Sequence, residues 1–204
     1  MGRIRRFDEQ HVLHSATEVF WSTGFAGTSV DDIMQATGLG KGSLYGAFGD
    51  KRTLFHRAFD GYCDQVTAAF HSRLSGQSPS SSSSSSSAGR LRTLFDRILA
   101  YADGSQPPPR ACLLAKATAE LAATDPEVAA RSRQTFEAMS DILHTELTQA
   151  QADGDLPADL DTRRTAHHLL VVFRGIEAMA EAGTDHIILR DAADTALAQA
   201  GLTG

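Results

Sequence analysis

Residues 24–55 read GFAGTSVDDIMQATGLGKGSLYGAFGDKRTLF, and the fold turns on the work of the five glycines between Gly38 and Gly49. Glycine that dense, beside Lys41 and Ser43, suits a phosphate-cradling loop for a nucleotide. It equally suits the tight turn between two short helices that grip DNA. A nucleotide loop of the G-x-x-x-x-G-K-[ST] type follows a buried strand and carries a hydroxyl immediately after its lysine. Here Gly42 follows Lys41, and the preceding TSVDDIMQAT has helical spacing. The dinucleotide pattern G-x-G-x-x-G fails as well. Ser43 stands where the third glycine after Gly38 and Gly40 belongs, and Tyr45 stands there after Gly40 and Gly42.

A helix-turn-helix accounts for what is present: a short helix, a three- or four-residue turn with glycine, and a second short helix for the major groove. Thr28 or Ser29 caps the first, with Asp31 and Asp32 in its opening turn where the helix dipole favours acid. Gly38 ends it. The second runs from near Lys41 to about Ala47, with Gly40 at its start. Ile33, Met34, Leu39, Leu44 and Phe48 are spaced to hold the pair against neighbouring helices. That leaves Lys41, Gly42, Ser43, Tyr45, Gly46 and Ala47 with little core to fill, and small residues there let the backbone approach a groove. The Tyr45 hydroxyl and the Lys51 ammonium, at a helix start, suit phosphates.

Outward from this stretch, nearly every segment reads helical. Val12, Ala16, Val19 and Phe20 stripe a helix from about Asp8 to Thr23, which Gly24 closes. Asp50 opens a longer helix through Leu54, Phe55, Ala58, Phe59 and Tyr62. Residues 75–89 contain an unbroken serine run, Ser80 to Ser87, which cannot bury apolar surface and predicts a mobile loop. A helix through Leu91, Leu94, Phe95, Ile98 and Leu99 follows and is broken by GSQPPP at 104–109. Further helices are predicted at about 110–124, 126–152, 161–182 and 186–200, the second opening on the Asp125-Pro126 signature. The expectation is an all-α protein of about nine helices.

Composition narrows the function. Net charge over the 204 residues is −6, yet residues 1–60 hold seven Lys/Arg and seven Asp/Glu, so the rest of the chain carries the excess. An acidic body repels DNA, and any DNA contact belongs to the first sixty residues, where Arg3, Arg5 and Arg6 form a basic arm. No stretch has the length of a membrane span and no secretory leader is evident, which points to the cytoplasm. Two cysteines, Cys63 and Cys112, are too few for a disulfide framework. No nucleophile–base–orienter set and no GxSxG elbow occurs, so an enzyme is not expected, and neither is a cofactor.

Gly24-Phe25, Thr28-Ser29, Asp32-Ile33, Ala36-x-Gly38, Gly42-Ser43-Leu44-Tyr45, Phe48 and Lys51 together closely resemble the DNA-binding domain of TetR-type (TetR/AcrR) transcriptional repressors. The resemblance is tight over about residues 8–60 and architectural beyond. It implies a helix-turn-helix domain at 1–52 and a helical ligand-binding and dimerisation domain at 53–204. It further implies a homodimer on a palindromic double-stranded operator, released by a small-molecule inducer. Carried over by position, Thr28 or Ser29 becomes the cap that meets a phosphate. Lys41, Gly42 and Ser43 become base-proximal, and Tyr45 and Lys51 become phosphate anchors. The sequence departs from the family at Gly40, where serine is frequent, and at Gly46-Ala47, where larger residues are. Readout through backbone, thymine methyl groups and DNA shape is the consequence.

In the C-terminal part, two wide apolar stripes are the expected dimer interface. One carries Phe136, Met139, Ile142, Leu143 and Leu147, the other Leu169, Val172, Phe173, Ile176, Met179 and Ala180, with Gly175 and Ala178 permitting close approach. Leu94, Phe95, Ile98, Tyr101, Cys112, Leu113, Leu114 and Phe136 either line an inducer pocket or fill a solid core. ACLLAKATAEL at 111–121 resembles the start of this segment in a subgroup of the family with GCLL there, which includes repressors that sense electrophiles through cysteine, although Ala111 replaces that glycine. Lys116 one turn on favours a thiolate, and a buried, inert Cys112 is the alternative. His167 and His168, adjacent on a helix, point apart and predict no metal site.

Overall fold

The computed structural model describes residues 7–75, 86–102 and 112–202. The Arg3/Arg5/Arg6 arm, the serine run up to Ser85 and the Gly104–Pro109 turn lie outside them. Among the described residues there are nine α-helices and no strand: α1 Glu9–Gly27, α2 Val30–Thr37, α3 Lys41–Phe48, α4 Lys51–Leu74, α5 Ser87–Ala102, α6 Leu113–Leu121, α7 Pro126–Ala152, α8 Thr162–Glu181 and α9 His186–Gln199.

Local chemistry sets most of the helix ends. Asp8 caps α1, accepting from the Gln10 N–H at 3.0 Å, and Asp161 caps α8 through the Arg164 N–H. At α2 the cap is Ser29 rather than Thr28, in a reciprocal arrangement with Asp32. The Asp32 N–H donates to Ser29 Oγ at 3.1 Å, and the Ser29 N–H donates to Asp32 Oδ2 at 2.8 Å. The Ser29 hydroxyl, and next its backbone N–H, holds the Asp32 carboxyl below the usual carboxylate range. Gly38 ends α2 in the left-handed region (φ 68°, ψ 11°).

Two boundaries differ from expectation. Gly24 breaks α1 but does not end it: its φ of 75° and ψ of 176° make a kink, and one further turn follows to Gly27. The serine run does not extend as loop to residue 89. Ser86 opens α5, accepting the Gly89 N–H at 3.2 Å, and Ser87 is buried. Serine is a good helix cap, which is the local reason the helix starts inside the run.

The chain forms two compact units, one of residues 1–65 with 111–133 and the other of 66–110 with 134–204. In the first, Phe55 meets Phe20 edge-on at 5.0 Å and Phe25 at 5.1 Å and stacks on Phe59 at 5.7 Å; Val12, Ala16 and Ile33 are buried. This grouping does not coincide with the boundary expected at residue 52, because the first turns of α4 supply the aromatic side chains that Phe20 packs against. In the second unit Phe173 meets Phe70 and Phe95 edge-on, and one apolar core joins residues of α5, α7, α8 and α9.

Candidate nucleic-acid interface

The turn between α2 and α3 contains Gly38, Leu39 and Gly40. Gly40 is the N-cap of α3 in extended conformation with no side-chain capping bond, and the Ser43 and Leu44 N–H groups donate to its carbonyl at 3.0 Å. Leu44 and Phe48 are the buried residues of α3, each 3% exposed. They seat the helix. Lys41, Gly42, Ser43, Tyr45 and Gly46 lie on its exposed side, and Ala47 is half-buried. A Cβ added at Gly42 or Gly46 would meet nothing within 4 Å. Nothing inside the unit therefore requires glycine at either position, and both keep a low profile on one outward face. Lys41 holds its ammonium 5.9 Å from the Tyr45 ring centre, on that same face.

The other expected contact residues divide. Ser29 is exposed at the start of α2. Thr28 is buried at 2%: its hydroxyl donates to the Gly24 carbonyl at 2.6 Å and lies 2.7 Å from Thr23 Oγ1. It neither caps α2 nor faces outward, since the kink at Gly24 leaves a carbonyl that this hydroxyl satisfies. Lys51, expected as a phosphate anchor, turns inward. Its ammonium donates to the carbonyls of Phe25 at 2.8 Å and Thr28 at 2.7 Å and sits 4.3 Å from the Phe25 ring centre. Those carbonyls lie just past the break in α1, where the interrupted helix cannot satisfy them.

The first unit is tied together by groups that no local pattern announces. Arg52 Nη1 lies 2.5 Å and His56 Nε2 2.9 Å from Asp125 Oδ2, while His56 Nδ1 lies 2.8 Å from Glu127 Oε2. Burial pushes the Asp125 carboxyl up. The His56 hydrogen bond, the Val128 N–H and the His56 and Arg52 charges outweigh that and hold it below the usual range. From α6, Lys116 reaches the carbonyls of Trp21 and Ser22, and Glu120 receives the N–H groups of Phe25 and Ala26. Lys116 is thus directed at the end of a helix. Cys112, at the N-cap of α6, instead receives the Tyr62 hydroxyl at 3.5 Å, and that hydroxyl accepts the Leu113 N–H at 3.2 Å.

The residues of the expected dimer and pocket sets divide between core and surface. Met139, Leu143, Leu147, Leu169, Phe173 and Ile176 are each 5% exposed or less and belong to the core of the second unit. Their stripes are wide because several helices converge there. Phe136 and Val172 pack against that core in part, and Met179, at 44%, is exposed. The outer side of α8 carries Val171 at 72% with Gly175, Ala178 and Met179, and α9 opens on Ile187 and Ile188, both more than half exposed. Of the pocket residues, Leu94, Phe95 and Ile98 are buried core of the second unit and Tyr101 is half-buried. Phe136 lies under the Arg174 guanidinium at 5.6 Å. Cys112 and Leu113 belong to the first unit.

Two short helices around a glycine turn, with a low outward face on the second, define a helix-turn-helix protein. Residues 12–58 match the family described as bacterial regulatory proteins, tetR family, and residues 87–196 match the tetracyclin repressor-like C-terminal domain. The chain belongs to the TetR family. It is 30% identical over 199 residues, covering 97% of this chain and 98% of the relative, to the uncharacterized HTH-type transcriptional regulator YezE of Bacillus subtilis (strain 168). It is 27% identical to the HTH-type transcriptional repressor ComR of Escherichia coli (strain K12), covering 96% of this chain and 90% of ComR. Among solved structures it resembles a cysteine mutant of the TetR family regulator CifR complexed with a 26-bp double-strand operator DNA. That match has a TM-score of 0.69 and 27% identity, covering 97% of this chain and 98% of that one. A TetR family regulator from Cytophaga hutchinsonii shares the fold, with a TM-score of 0.77 and 22% identity over 93% of this chain and 91% of that one.

Proposed function

We propose that this chain is a ligand-responsive transcriptional repressor that binds a palindromic DNA operator as a homodimer and leaves it when a small-molecule inducer binds. The observation that carries the reading is the outward face of α3: Lys41, Gly42, Ser43, Tyr45 and Gly46 exposed together, directly after the glycine turn. Ser29 is exposed at the N-terminus of α2, where the helix dipole favours a phosphate, while its own hydroxyl is donated to Asp32 at 2.7 Å. The operator-bound state of CifR supports the assignment of DNA as the partner. The functional division we propose is 1–52 for reading DNA and 53–204 for ligand response and dimerisation. Such a protein works beside the chromosome in the cytoplasm, and no helix among the described residues is long and apolar enough to cross a membrane.

We assign the dimer contact to the outer side of α8, Val171, Gly175, Ala178 and Met179, with Ile187 and Ile188 beside it in sequence. A Cβ at Gly175 would meet nothing within 4 Å, which leaves room for a second backbone. The inducer we place in the second unit near Tyr101 and Phe136, with Leu94, Phe95 and Ile98 behind. Inducer binding shifts the population toward dimers whose reading helices no longer match the half-site spacing.

Selection of duplexes from a randomised pool tests the reading. The expected outcome is enrichment of a palindromic duplex whose binding weakens as salt rises. Lys41→Ala and Ser43→Ala then change which base pairs are preferred near the centre of each half-site. A pool with no enriched sequence overturns the reading.

A further inference from the structure

The α1–α2 junction is held by an opposite-charge pair from a distant helix. Gly24 splits α1, leaving the carbonyls of Trp21 and Ser22 at the end of one helical segment and the N–H groups of Phe25 and Ala26 at the start of the next. The first set is a partial negative charge and the second a partial positive one. Lys116 and Glu120 stand four residues apart on α6, hence on one face. The Lys116 ammonium donates to Trp21 O at 3.0 Å and Ser22 O at 3.3 Å. The Glu120 carboxylate accepts the Phe25 N–H at 3.0 Å through Oε2 and the Ala26 N–H at 2.6 Å through Oε1. Each charge meets the helix end of opposite sign. A Cβ at residue 24 would stand 2.8 Å from Glu120 Oε2, so a side chain there would push the carboxylate from its place.

From its other side the junction is gripped by Lys51 of α4, through the Phe25 and Thr28 carbonyls, and Ser29 begins α2 one residue later. The direction in which α2, and α3 after it, leaves α1 is therefore fixed by three charged side chains, none of which lies on the exposed face of α3. We propose that Lys116 and Glu120 are positioning residues for operator recognition, holding the helix-turn-helix at the angle that fits the half-site. The proposal rests on the reading of the chain as an operator-binding repressor.

The test uses the full-length protein, the duplex enriched by the wild type from a randomised pool, and a scrambled duplex of equal length. Kd is read by fluorescence anisotropy, folding by circular dichroism, and the Phe25 and Ala26 amides by hydrogen exchange. Glu120→Ala is expected to accelerate exchange at these two amides. It should weaken binding to the enriched duplex about tenfold, the size of one or two charge-assisted hydrogen bonds, and leave the scrambled duplex unaffected. Glu120→Gln, whose amide oxygen still accepts one N–H, should recover most of the affinity, and Lys116→Met should behave like Glu120→Ala. The role is overturned if folded variants bind both duplexes like the wild type. It is equally overturned if both affinities fall together in step with a loss of folded protein. A wild type that enriches no duplex overturns the reading of function itself, and exchange at Phe25 and Ala26 then still reports whether the clamp forms.

Discussion

Gly46 sits in the middle of an eight-residue helix with open space where a side chain would stand. Glycine there costs a helix up to about 1 kcal/mol relative to alanine. Gly46→Ala should therefore stabilise the protein in urea denaturation while weakening binding to its enriched duplex, because the added methyl group projects from the reading face. A gain in stability with unchanged DNA affinity would remove Gly46 from the interface. Gly24 presents the opposite case. Its positive φ strains any side chain, and a Cβ there would also displace the Glu120 carboxylate, so its glycine serves the fold itself. Both glycines lie inside helices, and they differ in backbone conformation and in what stands opposite.

At the scale of elements, the Asp125 carboxylate joins the start of α4 to the start of α7 through Arg52 and His56 and accepts the Val128 N–H. Asp125→Ala should cost about 2 kcal/mol near neutral pH, the size of a lost charged hydrogen-bond network. The native carboxyl is held below its ordinary value near 3.9. Its contribution is complete above that value and is lost as pH falls through the lower native one. The stability difference between wild type and Asp125→Ala, measured by urea denaturation between pH 5 and pH 3, should shrink as pH falls. A difference that grows toward acid would contradict the assigned direction. Helix positions were legible throughout, because the apolar spacing of α1 to α4 and the signals at Asp8, Gly38 and Asp125-Pro126 are local. The Ser29–Asp32 box was legible too, at a spacing of three, but the competing Thr28 obscured it. Glu120, Lys116 and the inward turn of Lys51 were not. Their partners lie 23 to 95 residues away, and nothing in a helical period reports which distant backbone groups a kink leaves unsatisfied.

For the whole molecule, the wide stripes expected at an interface carry a related ambiguity. Stripe width counts neighbours without saying whether they belong to the same chain, and Leu143, Leu169 and Phe173 found theirs in α5, α8 and α9. The face we propose for a partner is the outer side of α8. Val171→Asp should convert dimer to monomer in sedimentation velocity and weaken operator binding at nanomolar protein. Helix content should be unchanged, since Val171 is 72% exposed. A dimer that survives Val171→Asp and Met179→Asp together would place the contact elsewhere.

Neither compact unit is a continuous stretch of chain, and this orders events on the ribosome. Trp21 meets Lys116 across 95 residues, so α1 leaves the ribosome long before the helix that braces its kink. At typical synthesis rates that interval is on the order of ten seconds. A nascent chain carries α1 to α3 without their brace throughout it. The DNA-reading geometry is thus completed late, when α8 is soon to follow and a partner can be found.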